Sequence, residues 1–232
     1  MKLSRILLFI MVIFGLQNCM AHALWVETNA QGKKGASQLV KVYFAEVGEK
    51  WELLNGQEWS TVKNFELWLQ SPKGELSRLE VSPKNDHYEA NFTPEEDGVY
   101  QLIAKNTSIG ALNFPNTPAF IPYFYAKSTV QVGNLKSKVA SYELPLDFNL
   151  VQKKINLVIP EYAAGKAQVT LFTPSGKSKT FKELQNGLLD FDCVEKGVYQ
   201  IELQIKDERP GKDYQFAFHT LTSNILVTNI LR

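Results

Sequence analysis

This 232-residue chain holds three histidines that could ligate a metal: His22, His87 and His219. Neutral imidazole binds borderline divalent ions well, and its charge changes near neutral pH. His22 stands out by its place. If secretory processing cuts after Ala21, the α-amine and the imidazole of His22 form a bidentate chelate for Ni, Co or Cu. His87 follows Asp86 at a turn and supplies a second nitrogen, while Glu27 and Glu46 supply oxygen ligands or outer partners. If Asp86 and His87 lie on a strand they point to opposite faces, so only one of them serves without a bulge. The predicted metal ligands are therefore His22, His87, Glu27 and Glu46. His219 lies in the last long strand and reads as a surface or satisfied core residue.

Other chemistry is thin. All four tryptophans, Trp25, Trp51, Trp59 and Trp68, fall in the first half of the chain. Trp51 and Trp59 flank Asn55-Gly56 and are the better candidates for stacking on a glycan or peptide, against an ordinary role in core packing. No Gly-x-Ser-x-Gly elbow and no His-Glu-x-x-His occurs. Ser175-Gly176-Lys177-Ser178 imitates the end of a phosphate-binding loop, but Leu171 stands where that loop needs its first glycine, so this is a hairpin turn. Glu95-Glu96 is a solvated turn pair. The expectation is a protein that is not an enzyme.

These groups are positioned by strands that follow a targeting segment. Lys2 and Arg5 precede the apolar run Ile6 to Leu16, and small residues follow at Ala21 and Ala23, the layout of a secretory signal peptide. The run is too short to cross a bilayer, which takes about 20 residues. No later stretch reaches that length, so no transmembrane segment is expected after processing. Residues 1–21 are read as the signal peptide. Cleavage after Ala21 keeps His22; cleavage after Ala23 discards it. A lipid anchor at Cys19 is a further alternative, although the small residue usual before such a cysteine is missing. Cleavage after Ala21 takes the net charge from +1 to −1 and leaves Cys193 as the one cysteine. Cys193 reads as a small buried hydrophobe.

The mature chain is expected to be all β. Tyr199, Ile201, Leu203 and Ile205 alternate with Gln200, Glu202, Gln204 and Lys206, the period of a half-buried strand. Turn signals such as Ser71-Pro72-Lys73-Gly74, Asp97-Gly98 and Asn186-Gly187 separate such runs. The block from Phe65 to Ala104 and the block from Gln168 to Lys206 share one order: strand, Pro-x-Gly turn, two strands, acidic turn, Gly-Val-Tyr-Gln, strand. An aromatic strand follows each, Tyr123-Phe124-Tyr125-Ala126 and Tyr214-Gln215-Phe216-Ala217. Two copies about one hundred residues apart predict two tandem immunoglobulin-like β-sandwich domains, residues 22–133 and 142–232. The polar stretch from Gly133 marks the boundary. Tyr100 and Tyr199 stand where immunoglobulin-like sandwiches place a tyrosine corner. Asn106 to Pro122 forms a long loop, either functional or a plain connector.

The order of several motifs resembles a known family. His22-Ala23-Leu24-Trp25-Val26-Glu27 opens the first strand, followed by Val40 to Glu46, Phe65-Glu66-Leu67-Trp68-Leu69, Asp86-His87-Tyr88 and Glu96-Asp97-Gly98-Val99-Tyr100. In the second half, Leu144-Pro145-Leu146-Asp147 and Gly165-Lys166-Ala167-Gln168-Val169 continue the pattern. The whole is similar to a secreted bacterial domain-of-unknown-function family formerly described as the NikM-type substrate-specific component of nickel uptake. In that family a His-x-x-Trp strand follows directly on the signal peptide. Asp147 departs from the family's Glu, and the Pro that follows its Gly-Lys is absent. The resemblance implies a cell-envelope protein linked to divalent metal uptake.

With 25 Lys and Arg against 24 Asp and Glu, there is no basic field for nucleic acid. The sequence thus leads to a periplasmic or secreted, non-catalytic binding protein. It would hold a divalent transition metal (Ni, Co or Cu) for an envelope metal-uptake system. The alternative is an adhesion or glycan/peptide-binding module.

Overall fold

The computed structural model describes residues 22–46, 48–57, 59–133 and 142–227. The signal segment 1–21 and the boundary stretch 134–141 lie outside the described residues. The first half runs β1 (His22–Thr28), β2 (Gln31–Gly32), β3 (Gln38–Glu46), a short helix α1 (Trp59–Val62), β4 (Glu66–Gln70), β5 (Leu76–Leu79), β6 (Ser82–Pro83), β7 (Tyr88–Phe92), β8 (Gly98–Asn106) and β9 (Phe120–Val132). The second half runs β10 (Asp147–Val151), β11 (Lys154–Val158), a 3-10 turn (Glu161–Ala163), β12 (Ala167–Phe172), β13 (Ser178–Leu184), β14 (Gly187–Asp192), β15 (Gly197–Asp207) and β16 (Phe216–Val227). Among the described residues no helix is long and apolar enough to cross a membrane.

The chain is all β, and the sequence repeat is a structural one. In the first copy β5-β4-β8-β9 form one layer and β1-β3-β7-β6 the other. In the second, β13-β12-β15-β16 face β10-β11-β14. Each copy is a sandwich with its own hydrophobic cluster. Leu67, Leu102 and Phe124 lie in the first, and Leu171, Ile201 and Leu221 in the second. Each such fully buried side chain contributes about 1.5–3 kcal/mol.

The two sandwiches are not beads on a string. β16 pairs in parallel with β9, from Phe216 opposite Phe120 to Ser223 opposite Lys127, so two half-sheets become one nine-stranded sheet. The middle of β9, from Phe124 to Ser128, is buried on both faces. Phe124, Ala126, Val130 and Val132 join the first cluster, and Tyr125 joins the second. The two smaller sheets therefore cover opposite faces of the long one, as if a two-fold axis ran along the strands between β9 and β16.

A second contact ties the halves. The outer edge of β1 meets side chains of β16: the Thr222 hydroxyl donates to the Leu24 carbonyl, and Asn224 Nδ2 donates to the Val26 carbonyl at 3.4 Å. An edge strand that would otherwise offer free carbonyls to another chain is thereby covered.

Both tyrosine corners form. Tyr100 Oη accepts from the Glu95 and Glu96 amides at 3.1 and 3.0 Å and donates to the Glu96 carbonyl at 3.2 Å. Tyr199 Oη accepts from the Glu195 amide at 2.8 Å. The preceding Gly98 and Gly197 sit at φ of 137° and 128°, a region that side chains disfavour. Replacing Tyr100 by Phe strips the corner of its hydrogen bonds and should cost about 1–2 kcal/mol in urea unfolding. An unchanged midpoint would mean that water replaces the hydroxyl without loss.

Cys193 is fully buried, and burial pushes its thiol up to about 11, which makes it chemically inert at neutral pH. The loop expected over Asn106 to Pro122 is shorter, since β8 ends at Asn106 and β9 begins at Phe120, and it is pinned at its start. Asn106 Nδ2 donates to the Val62 carbonyl at 2.9 Å and its Oδ1 accepts from the Ser108 amide at 3.1 Å.

Candidate metal site at the first strand

Register decides which predicted ligands can meet. β1 and β3 are antiparallel, with His22 opposite Glu46, Leu24 opposite Phe44 and Glu27 opposite Lys41. Leu24, Val26, Val42 and Phe44 face the first core, so His22 and Glu46 share the inward face at its rim. Glu27 takes the outward face. On β7, Tyr88 lies opposite Val42 and packs on Phe65 and Trp59 inside the core. His87, one residue earlier, turns outward and lies against Tyr43 at 5.0 Å.

His22 and His87 are therefore on opposite faces of one sheet, and no single ion can bridge them. The expected four-residue site divides into His22 with Glu46, and His87 with Glu27. In the outward group both nitrogens of His87 are engaged. Nδ1 lies 2.6 Å from Asp86 Oδ1 and Nε2 lies 3.0 Å from Glu89 Oε1. Glu27 adds charge nearby. Its burial pushes the carboxyl up, while Lys41 and His87 pull it back. This is an ion-pair cluster whose groups satisfy one another.

The inward group is different. His22 Nε2 lies 3.0 Å from Glu52 Oε1, and Nδ1 lies 3.9 Å from Glu46 Oε1. The ring rests on Phe44, 5.4 Å between centroids. Glu52 was not foreseen from sequence. It is fixed by its own backbone: its amide donates to the Phe44 carbonyl at 2.9 Å, and its carbonyl accepts from the Trp59 indole at 3.0 Å. The described stretch 48–57 is thus folded back onto β3 at Glu52, and this places the carboxylate beside the histidine. Among the described residues no three His, Cys, Asp or Glu groups already stand at coordination distance. The spacings are those of a hydrogen bond and a loose ion pair.

A third acid approaches from the other half. Glu202 of β15 is 7% exposed, and its Oε2 has no hydrogen-bond partner among the described residues. Burial pushes its carboxyl up to about 8, and the charge of Glu46 adds to the rise. The alternating pattern of its strand assigns Glu202 to a solvent face. The first sandwich covers that face instead. A signal was present in the repeat: aligning Tyr100 with Tyr199 puts Glu202 where the first copy has Ile103, which is fully buried.

Two of the four tryptophans are core residues, and Trp51 and Trp68 stay half-buried. Trp59 is 1% exposed, which removes it as a stacking platform. Trp25 is buried and donates to the Ala45 carbonyl at 3.2 Å. Trp68 donates to Glu66 at 3.1 Å, and Trp51 stacks on Tyr43 at 4.4 Å. His219 is a core residue between the rings of Tyr123 and Tyr125, and burial lowers its pKa. A crevice of about 1790 Å³ opens between the halves, lined in part by Gln101, Gln131, Lys127, Asp147, Asn224 and Leu226.

No protein-family model matches the sequence, and no curated protein matches it. Among solved structures the chain is similar to Salmonella alpha-2-macroglobulin reacted with methylamine, at TM-score 0.33 and 12% identity, over 89% of this chain and 15% of that one. A mutant of the Salmonella alpha-2-macroglobulin gives TM-score 0.34 and 12% identity, over 88% and 15%. A DUF4785 family protein from Legionella pneumophila gives TM-score 0.30 and 14% identity, over 82% of this chain and 53% of that one. The chain spans a small part of the macroglobulin's length and about half of the Legionella protein's.

Proposed function

We propose that the protein is a non-catalytic binding protein of the cell envelope, which captures a divalent transition metal at the start of its first strand. The observation that carries this reading is the His22 ring, held between Glu46 and Glu52. Cleavage after Ala21 would free the α-amine of His22, which chelates together with Nδ1. Glu46 Oε1 lies 3.9 Å from that nitrogen. An ion about 2.0–2.2 Å from each donor fits between them with little movement. Glu52, on Nε2, would fix the ring and raise its basicity, as outer carboxylates do for ligating histidines. Amine, imidazole and carboxylate together suit Ni, Co or Cu. The resemblance of the His22-Ala23-Leu24-Trp25 strand to the NikM-type family agrees with a role in uptake or in delivery to an envelope uptake system.

The test is native mass spectrometry of protein purified through its own secretion pathway, with Ni, Co, Cu and Zn titrated in. The expected result is a mass beginning at His22 that takes up one ion. His22→Ala and Glu46→Gln should each abolish uptake. Glu52→Gln should weaken it about 10–100-fold, and His87→Ala should leave it unchanged. A mass beginning at Leu24, or full uptake in the His22→Ala, Glu46→Gln double variant, overturns the reading.

A further inference from the structure

The parallel pairing of β9 and β16 stops at Lys127 and Ser223, although β9 runs on to Val132 and β16 to Val227. Beyond that point β9 keeps β8 as its neighbour and β16 keeps β15, while β2 joins β9 only from Gln131. The long sheet therefore forks, and the crevice of about 1790 Å³ lies in the fork. The repeated Gly-Val-Tyr-Gln lines it twice. Tyr100 and Tyr199 turn into the two cores, so Val99 with Gln101, and Val198 with Gln200, take the opposite faces and enter the lining. The tyrosines are explained by their corners; the glutamines have no such role in packing. Gln101 is 7% exposed, and its Oε1 has no hydrogen-bond partner among the described residues. Asn224, opposite Gln200, donates its Nδ2 to the Val26 carbonyl and leaves a buried Oδ1 without a partner among the described residues. Two buried acceptors in the lining of one opening call for a ligand that donates.

The rest of the lining narrows the choice. The opening exceeds the roughly 300–1,000 Å³ of small-molecule pockets. Its charged groups balance, Glu27 and Asp147 against Lys41 and Lys127, and Lys127 is tied to Asp147. Aliphatic side chains stand exposed along it at Leu39, Leu150, Val198 and Leu226. It has no exposed aromatic ring on which a sugar would stack, since Tyr142 and Phe172 are half-buried and Phe148 is buried. An extended backbone supplies N–H donors at regular spacing and suits two strand edges that have parted. We infer that the crevice binds an uncharged, extended peptide segment: Gln101 and Asn224 accept from its backbone, and the aliphatic groups take its side chains. This site does not include His22 and holds whether or not an ion binds there.

The experiment uses the mature protein and labelled probes: an array of capped hexapeptides built from Val, Leu, Ser and Thr, the same peptides carrying Lys or Glu at two positions, and the neutral sugars maltohexaose and cellohexaose. Affinity is read by fluorescence polarisation and location by hydrogen exchange. Neutral peptides should bind, the charged ones about tenfold or more weakly, and the sugars not at all. A bound peptide should slow exchange in β9 beyond Lys127 and in β16 beyond Ser223. Gln101→Leu removes one accepting oxygen and should weaken binding about two- to tenfold, while the free protein melts no lower because an unpaired buried acceptor is gone. Val198→Lys, at a side chain 48% exposed, puts a charge in the opening without disturbing a core, and should weaken binding about tenfold. It also serves if the leucine variant fails to fold. Undiminished affinity in Gln101→Leu, or in Val198→Lys in its place, overturns the inference. So does an array in which no neutral peptide binds, in which charged peptides bind equally, or in which the sugars bind instead.

Discussion

Exchanging Glu202 for glutamine should stabilise the metal-free protein by on the order of 4 kcal/mol at pH 9 and by almost nothing at pH 4. The folded carboxyl titrates near 8 against an ordinary value of 4.5, with burial as the larger cause and the charge of Glu46 as the smaller. Between those two values the unfolded chain has released the proton and the folded chain still holds it. Stability of the unmodified protein therefore falls as pH rises through that window and levels off above it. Glutamine has no proton to release, so its curve lacks this slope. For a chain of this size the difference at pH 9 amounts to about 10 °C in melting midpoint. Parallel curves for the two proteins would mean that water reaches the carboxylate and that its burial is not real.

Lys127→Ala should cost about 3 kcal/mol, because it removes a charged hydrogen-bond donor from the seam. Lys127 reaches from β9 to the start of β10, where its Nζ donates to the Asp147 carboxylate and the Phe148 carbonyl and lies 4.7 Å above the Phe148 ring. The lysine is 8% exposed, and burial lowers its pKa while Asp147 opposes that shift. Lys127→Met should recover part of the loss, since its stem refills the space. A double-mutant cycle with Asp147→Asn isolates the pair and should give a coupling of about 1–3 kcal/mol. Additive single losses would show that the ion pair contributes nothing and that the alkyl stem alone matters.

Much of this fold is local and could be read from the residues. Period-two alternation, turn glycines and the duplicated Gly-Val-Tyr-Gln give the strands, the two copies and both tyrosine corners. The junction of β9 and β16 is not local. Nothing in the alternation of either strand states which distant edge it will meet. The one hint is the run Phe120 to Ala126, too continuously apolar for a strand with one wet face. The candidate site failed in the same place. His22 and Glu46 follow from the β1–β3 pairing. The face of His87 depends on the register of β7 against β3, and a slip of one residue reverses it. Glu202 reads as solvent-facing because strand periodicity separates two faces without saying that a second sandwich will cover the polar one.

The parallel junction also bears on ancestry. A single copy of this sandwich would end in a free strand edge, eight residues of which are engaged here from Phe120 to Lys127. Two identical copies meeting along that edge would form a homodimer with its symmetry axis along the strands, the self-complementary contact that most dimers use. The present chain has the geometry of such a dimer after gene duplication and fusion. Joining the copies replaces a concentration-dependent encounter by an intramolecular one. It also frees them to diverge, so that a position held by isoleucine in one copy can become glutamate in the other.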